Sequence, residues 1–267
     1  MELIIFKIIV SVLIVISLVF ISERNSKLGG LIIGMPLGTG IMVFFYGVEQ
    51  GADFVIKAIP YGISGMVSTI IFGMGFFLGG RMFKDNRMLA VLSSYFTGLI
   101  AYLLSSFVLS LLNINLALSL IIFIFGLLTS LIFYRSVPEG NKIKIKEFKF
   151  GVLIFRILFV VAIVLTITEL AHIIGSKWAG IIASYPTTLS PLLIILAYSY
   201  KHEIYPVLLK HLSYSFSTIT LFYLLVLWLF PIFDVYIGFI ISYIICFAYL
   251  FLLSKLNFYK FITHFTH

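Results

Sequence analysis

Two segments of the chain combine helix-breaking residues with hydroxyl side chains inside apolar runs. Their candidate binding residues are Gly34, Pro36, Thr39, Tyr185, Pro186, Thr187, Thr188 and Ser190. A proline lacks the backbone N–H and clashes with the preceding helical turn, so it leaves carbonyl groups without helical partners. In a membrane these groups must be satisfied by neighbours, water or a ligand. We therefore predict two discontinuous helices that bind a small solute or ion between them.

The same residues have a plainer structural interpretation. Prolines kink helices, and small residues allow two membrane helices to pack closely. On that interpretation the segments contribute to packing alone. The sequence allows both interpretations.

Three ionisable residues inside the apolar runs are candidates for a functional charge in the membrane. They are Lys57, Lys210 and Glu169. A charge at the bilayer centre costs at least ~2.5–3.5 kcal/mol, so such residues are functional hypotheses by default. The two lysines lie close enough to the ends of their runs for the ammonium to reach the interface. Glu169 is the carboxylate that we expect to couple a proton if one is buried, whereas Glu49 is expected at the interface.

Motifs of enzymes and metal sites are absent from the sequence. There is no HExxH, no GxSxG, no phosphate loop ending in Lys-Ser/Thr and no clustered pair of aspartates. The single cysteine, Cys246, excludes a disulfide framework. We therefore predict a protein that is not an enzyme and that holds no metal or cofactor.

The composition indicates that the elements around these segments lie in a lipid bilayer. Of the 267 residues, 62% are hydrophobic and 10% are charged, and the mean hydropathy is +1.19. A soluble domain carries roughly 25% charged residues. The basic residues lie in short runs between apolar segments, which marks membrane topology and excludes a nucleic-acid surface.

Runs of about 20 mainly apolar residues predict nine transmembrane helices. The predicted spans are 3–22, 28–48, 54–80, 88–111, 114–134, 150–172, 177–199, 204–231 and 233–254. The linker 135–149 carries five basic residues against two acidic ones, so it is predicted to be cytoplasmic. Counting the spans from this linker places the N-terminus outside and the C-terminus in the cytoplasm, as in a multi-pass protein of a cell membrane.

An internal repeat relates two parts of the chain. Residues 26–30 line up with residues 176–180 at an offset of 150, and at that offset Pro36 meets Pro186. Five predicted spans separate the equivalent starts, and because five is odd the two parts face opposite ways. The sequence thus predicts an all-α, polytopic fold with two inverted-topology repeats of four helices and one extra helix. Residues 1–134 hold the first repeat and the extra helix, and 150–267 hold the second repeat.

The residues of this repeat resemble the GlpM-type family of small membrane proteins. Ala179-Gly180 followed by Tyr185-Pro186-Thr187 is similar to the small-Gly and aromatic-Pro-Thr signature of that family. The first half has Gly29-Gly30, Met35-Pro36 and then Glu49 and Gly51, at the spacing of the family's Glu-x-Gly ending. Met35, Leu37 and Ser199 depart from the signature. The resemblance implies a duplicated, fused membrane protein and little chemistry.

These features predict a secondary transporter or permease for a small solute, working by alternating access between the two proline-broken helices. No ATP-binding motif is present, so a coupling ion or a partner chain must supply the energy. The alternative is a non-transporting membrane scaffold or assembly subunit, and a third class is a membrane enzyme acting on lipids. A transporter predicts that hydroxyls of both segments converge on a water-accessible space, whereas a scaffold predicts dry packing and a lipid enzyme predicts charges gathered at one interface.

Overall fold

The structure, a computed structural model, describes residues 2–24, 35–83, 86–136, 150–200 and 205–255, and this part of the chain is all-helical. Its nine α-helices are α1 (Glu2–Arg24), α2 (Leu37–Gln50), α3 (Ala52–Gly79), α4 (Arg87–Ser110), α5 (Leu116–Phe133), α6 (Phe150–Ala183), α7 (Leu189–Tyr200), α8 (Tyr205–Leu229) and α9 (Val235–Lys255). A single 3-10 turn, Tyr134–Ser136, follows α5.

Five of the helices in the described residues are long and apolar enough to cross a membrane. They are α3, α4, α5, α6 and the part of α9 from Val235 to Leu253. The outer faces carry large exposed apolar side chains, such as Phe125 and Ile132 on α5. Apolar surface on this scale is typical of helices that face lipid. Five of the predicted transmembrane helices are therefore supported, and the total of nine crossings stays a prediction.

Helix α3 lies at the centre of the bundle and packs against α2, α4, α5, α6 and α8. Its glycines allow the closest of these contacts. A Cβ added at Gly75 would lie 2.9 Å from the carbonyl oxygen of Thr97 on α4, and one added at Gly79 would lie 2.5 Å from that of Ser93. The glycines therefore bring the backbones of α3 and α4 together, as small residues do between membrane helices.

Polar caps mark where two of the later helices begin. The side chain of Asn86 accepts hydrogen bonds from the backbone N–H groups of Met88 and Leu89 at the start of α4. The carboxylate of Asp234 accepts one from the N–H of Ile237 at 2.8 Å, at the start of α9. Asn and Asp are preferred at this position because the first N–H groups of a helix have no carbonyl partners within it.

The predicted boundary between spans 150–172 and 177–199 lies at a kink in α6. The kink is at Gly175, whose backbone is not helical and whose φ of 76° and ψ of 170° favour glycine, and a second helical segment follows it to Ala183. The expected span 177–199 is then interrupted, because Pro186 separates α6 from α7. With 12 residues, α7 is about 18 Å long, which is shorter than the bilayer core. In the first half, α2 likewise begins directly after Pro36.

Candidate functional site

The two proline breaks lie against each other inside the helical bundle. A Cβ added at Gly38, in the first turn of α2, would lie 3.3 Å from the Cβ of Thr187 and 3.7 Å from the backbone nitrogen of Thr188. Pro36 and Pro186 are both buried. The structure therefore brings together the two segments that the sequence singled out, and glycine at position 38 leaves room for this approach.

The first break is an inverse γ-turn centred on Pro36. This proline has φ −74° and ψ 53°, and the N–H of Leu37 donates to the carbonyl oxygen of Met35 at 2.8 Å. The carbonyl oxygen of Pro36 then accepts from the N–H of Gly40 at 2.6 Å, which begins α2. The predicted hydroxyl residue of this segment, Thr39, is buried.

The second break repeats these two hydrogen bonds. The N–H of Thr187 donates to the carbonyl oxygen of Tyr185 at 2.7 Å, and the N–H of Ser190 donates to that of Pro186 at 2.7 Å. Each bond spans the same number of residues as its counterpart around Pro36. The two breaks therefore share one local backbone geometry.

A row of hydroxyl groups extends from α7 to α4 beside the second break. The Oγ of Ser190 lies 3.2 Å from the Oη of Tyr185, which lies 3.2 Å from the Oη of Tyr95 on α4. Ser190 also donates to the carbonyl oxygen of Pro186 at 2.8 Å, and Thr187 Oγ1 donates to that of Tyr185 at 3.1 Å. Three predicted site residues, Tyr185, Thr187 and Ser190, thus form one uncharged, buried hydrogen-bonding group.

Hydroxyls from the first half also satisfy carbonyl groups at the end of α6. Thr69 on α3 donates to the carbonyl oxygen of Ser184 at 2.5 Å, and Tyr102 on α4 donates to that of Ile181 at 3.0 Å. Both carbonyls lie where α6 ends at Ala183, and that of Ile181 also accepts from the N–H of Ser184 at 3.1 Å. The requirement for satisfied backbone groups in a membrane is met here by neighbouring helices.

A hydroxyl group from the second half of the chain forms a hydrogen bond with the first break. The Oη of Tyr243 on α9 donates to the carbonyl oxygen of Pro36 at 2.9 Å. A Cβ added at Gly40 would overlap the Tyr243 hydroxyl. The phenol therefore fits in this position only because residue 40 is glycine. Each half of the chain therefore supplies a tyrosine from its fourth helix to the proline break of the other half.

Tyr95 and Tyr243 occupy corresponding positions in α4 and α9. Each lies eight residues after the first residue of its helix. Each follows a buried serine, Ser94 or Ser242, whose hydroxyl donates to the carbonyl four residues earlier at 2.8 Å. The two helices are thus alike in local structure, and each reaches the proline break of the opposite half.

These two tyrosines are not among the predicted site residues, although the sequence carries a signal for them. A Ser-Tyr pair follows a polar capping residue at the same distance in both helices, at an offset of 148. The capping residues are Asn86 and Asp234. The offset differs from the 150 found around the prolines, so a comparison at one fixed offset does not reveal the pair.

The Ala179-Gly180 motif makes a close backbone contact with α3 of the first half. A Cβ added at Gly180 would overlap the carbonyl oxygen of Ala58 and would lie 3.0 Å from the Cβ of Tyr61, both on α3. The carbonyl oxygen of Ala179 accepts a hydrogen bond from the Oη of Tyr46 at 3.2 Å. The small residues of the motif thus serve helix packing.

A buried lysine joins three helices away from the breaks. Lys7 on α1 is 0% exposed, and its Nζ lies 2.5 Å from Oε1 of Glu49 on α2 and 2.9 Å from Oε1 of Glu169 on α6. The Glu49 side chain is 13% exposed and the Glu169 side chain 55%. Glu49 is therefore the more buried carboxylate, the reverse of the expectation. Lys7 was missed because a single lysine near the start of an apolar run resembles an interfacial residue.

The other predicted site residues contribute little to these groups. Lys57 is exposed on α3, which fits an interfacial ammonium, and Thr188 is half-buried. Gly34 and the side chain of Lys210 lie outside the described residues. Among the described residues, no group of three or more His, Cys, Asp or Glu side chains could hold a metal ion.

Comparison with known proteins finds no matching family model, no matching curated protein and no matching solved structure. The resemblance to GlpM-type proteins therefore stays a prediction from the sequence signature.

Proposed function

We propose that the protein is a secondary transporter or permease for a small polar solute that binds between the two proline breaks. The observation that carries this proposal is the contact between Gly38 and Thr187. It places two broken helices from separate halves of the chain in one buried place. Discontinuous helices that meet between two repeats form the substrate sites of many secondary transporters.

The proposal includes two inverted-topology repeats of four helices, with α5 as the extra helix. It is supported by the shared hydrogen-bond pattern of the two breaks and by the corresponding positions of Tyr95 and Tyr243. Corresponding elements also contact each other: α1 packs on α6, and α3 packs on α8. Contacts of this kind are expected for elements that surround a two-fold axis.

The chemistry around the breaks favours an uncharged solute. The groups that surround them are the hydroxyls of Tyr95, Tyr185, Thr187 and Ser190 and nearby backbone carbonyls. Hydroxyls donate and accept hydrogen bonds, so they can exchange a protein partner for a solute without burying a new charge. In the proposed cycle, the Tyr243–Pro36 hydrogen bond breaks in one state and the Tyr95–Tyr185 hydrogen bond breaks in the other. The conformer in which both hydrogen bonds are formed is the occluded state.

The orientation and location are part of the same proposal. The basic linker 135–149 places the N-terminus outside and the C-terminus in the cytoplasm of a cell membrane, with nine crossings in total. The energy for uphill transport comes from a coupling ion, since the sequence has no ATP-binding motif.

Uptake into proteoliposomes tests the proposal. The purified chain is assayed with a panel of small uncharged solutes, such as polyols and amides, and with charged analogues of similar size. Pro186→Ala is expected to abolish uptake while the melting temperature stays close to that of the wild type. The matched control is Pro231→Ala, because Pro231 is exposed in the turn between α8 and α9. Wild-type uptake by Pro186→Ala would contradict the proposal.

A membrane scaffold is the second candidate, and a specific observation favours it. The carbonyl groups of Pro36, Ile181 and Ser184 each accept a hydrogen bond from a hydroxyl on a neighbouring helix. Such internal satisfaction suits a permanent, dry interface. If the scaffold interpretation holds, Pro186→Ala changes the melting temperature, and neither the wild type nor any variant moves a solute.

A further inference from the structure

We infer that the hydroxyl groups of Tyr46, Tyr102 and Tyr223 bind the solute of the proposed transporter, and that this solute is a small primary amide. The three residues are called the tyrosine triad below. They come from both halves of the chain, since Tyr46 lies on α2, Tyr102 on α4 and Tyr223 on α8. The inference rests on the proposed function and adds to it the residues and the chemical class of the solute.

The triad lies around the last segment of α6. The Oη of Tyr46 donates to the carbonyl oxygen of Ala179 at 3.2 Å, and the Oη of Tyr102 donates to that of Ile181 at 3.0 Å. The phenol of Tyr46 interacts electrostatically with those of Tyr102 and Tyr223, and the phenols of Tyr102 and Tyr223 interact with each other. Three hydroxyl groups on three helices therefore lie close together inside an apolar bundle, and all three side chains are buried.

Tyr223 differs from the other two members of the triad. Its side chain is 1% exposed, and its hydroxyl has no hydrogen-bond partner among the described residues. The phenol points at α3, where a Cβ added at Gly62 would overlap its Oη. A buried hydroxyl without a partner destabilises the folded protein, and a phenylalanine of nearly the same shape would avoid this loss. A tyrosine at this position is explained by a ligand that binds to its hydroxyl.

Tyr102 connects the triad with the second proline break. Its ring centroid lies 5.2 Å from that of Tyr185, and Tyr185 is the residue whose hydroxyl contacts Tyr95. In the proposed cycle this contact breaks in one state, so the ring of Tyr185 is then free to move away from Tyr102. The solute thus gains access to the triad when the second break opens.

The hydrogen-bonding capacity of the triad indicates the class of solute. A phenol has one proton to donate and an oxygen atom that can also accept. Tyr46 and Tyr102 donate their protons to backbone carbonyls, so towards a solute they act as acceptors. Tyr223 keeps its proton for the solute. A primary amide is complementary to this set, because it has two N–H donors and one carbonyl acceptor.

Polyols and cations fit the triad less well. Every hydroxyl of a polyol brings an acceptor as well as a donor, and the triad has one proton to offer. A cation cannot accept the proton of Tyr223, and a charge buried without a counter-ion is costly. The carboxylate of Glu49, which interacts with Tyr46, is already paired with Lys7.

An ordered water molecule is the competing partner for Tyr223. Buried waters commonly satisfy polar groups that would otherwise lack a partner. In that case the triad contributes to structure alone, and the affinity for an amide does not depend on the Tyr223 hydroxyl.

Ligand-observed saturation-transfer NMR titrations with the full chain in lipid nanodiscs test the inference. The probes are acetamide, N,N-dimethylacetamide, which keeps the carbonyl but has no N–H donor, ethylene glycol and methylammonium. Acetamide is expected to bind, and each other probe is expected to bind at least about tenfold more weakly, because it leaves a buried group without a partner. Absence of acetamide binding would overturn the inference. Equal binding of any other probe would overturn the assignment to an amide.

Tyr223→Phe separates solute binding from stability. This variant is expected to bind acetamide about tenfold more weakly than the wild type, since the solute carbonyl loses its donor. Its melting temperature without solute should equal or exceed that of the wild type, because the lost hydroxyl has no partner among the described residues. Tyr236→Phe, at an exposed tyrosine of α9, is the matched control and should change neither quantity.

Two results for Tyr223→Phe would contradict the inference. An unchanged affinity for acetamide would assign the Tyr223 hydroxyl to an ordered water. A lowered melting temperature would show that the hydroxyl stabilises the protein through a partner other than the solute.

The outcomes also separate this inference from the proposed function. Acetamide binding that depends on Tyr223, without uptake of any solute into proteoliposomes, leaves the binding site and removes the transporter. Uptake of another solute at the wild-type rate by Tyr223→Phe, together with absent acetamide binding, removes the triad as the site and leaves the transporter.

Discussion

The hydroxyl of Tyr243 donates a hydrogen bond to the carbonyl oxygen of Pro36 at 2.9 Å, across 207 residues of sequence. The bond joins α9 of the second half to the break that precedes α2 in the first half. Tyr95 makes the corresponding contact in the other direction, with its Oη 3.2 Å from that of Tyr185. Each break is therefore held by the other half of the chain.

Tyr243→Phe removes this hydrogen bond and keeps the ring. The expected loss is about 0.6–1.7 kcal/mol, the range for hydrogen bonds between membrane helices, measured as a lower melting temperature of the purified protein. Tyr236→Phe is the matched control, because Tyr236 is exposed on the same helix. Equal melting temperatures for the two variants would contradict a stabilising role for the Tyr243 bond.

Gly40→Ala is expected to destabilise the protein more than Tyr243→Phe does. The added methyl group would overlap the Tyr243 phenol, and overpacking of this kind costs about 1–3 kcal/mol. Gly151→Ala is the control, because a Cβ added there meets nothing within 4 Å. Combining Gly40→Ala with Tyr243→Phe should recover part of the loss, since the hydroxyl is removed while the ring carbon at 2.8 Å remains.

Lys7→Met leaves the carboxylates of Glu49 and Glu169 without their shared cation. Removing one partner of a buried ion pair costs about 3–5 kcal/mol, and we expect the lower end because Glu169 is more than half exposed. Adding Glu49→Gln to Lys7→Met should restore part of the stability, because it removes one unpaired charge. Lys57→Met, at an exposed lysine of α3, is the control and should be close to neutral. A loss in Lys57→Met as large as in Lys7→Met would contradict a special role for the buried lysine.

The two ends of α4 are expected to lie on opposite sides of the membrane. Arg81 precedes this helix and Asn113 follows it, and both are exposed. In a Cys246→Ser background, a membrane-impermeant thiol reagent should label Arg81→Cys from the cytoplasmic side and Asn113→Cys from the outside. Labelling of both from one side would contradict a crossing by α4, and reversed sides would contradict the proposed orientation.

Several features of the fold follow from local sequence alone. The predicted spans 88–111 and 114–134 agree with α4 and α5 to within two residues. Such spans can be predicted from the sequence because a run of about 20 apolar residues and a polar capping residue act within one helix. The breaks at Pro36 and Pro186 can be predicted for the same reason, since a proline disturbs its own helix whatever its surroundings.

The prediction was right about one boundary and incomplete about the next. The boundary predicted between residues 172 and 177 corresponds to the kink of α6 at Gly175, whose backbone is not helical. The predicted span 177–199 is interrupted after Ala183, where Pro186 separates α6 from α7. The contact of Gly180 with the backbone of Ala58 holds the last part of α6 against α3. Local sequence does not predict this contact, because the two helices are distant in the chain.

Composition and apolar run length, by themselves, determined that the chain is helical and suited to a membrane, and the prolines determined where two of its helices break. The tertiary structure alone decided that the breaks meet, that Tyr95 and Tyr243 cross between the halves, and that Lys7 pairs with Glu49 and Glu169. The physical reason is that a polar group within an apolar bundle must find a partner wherever packing places one. Local sequence patterns determine which groups need partners, and only the packing of distant helices determines which partners they receive.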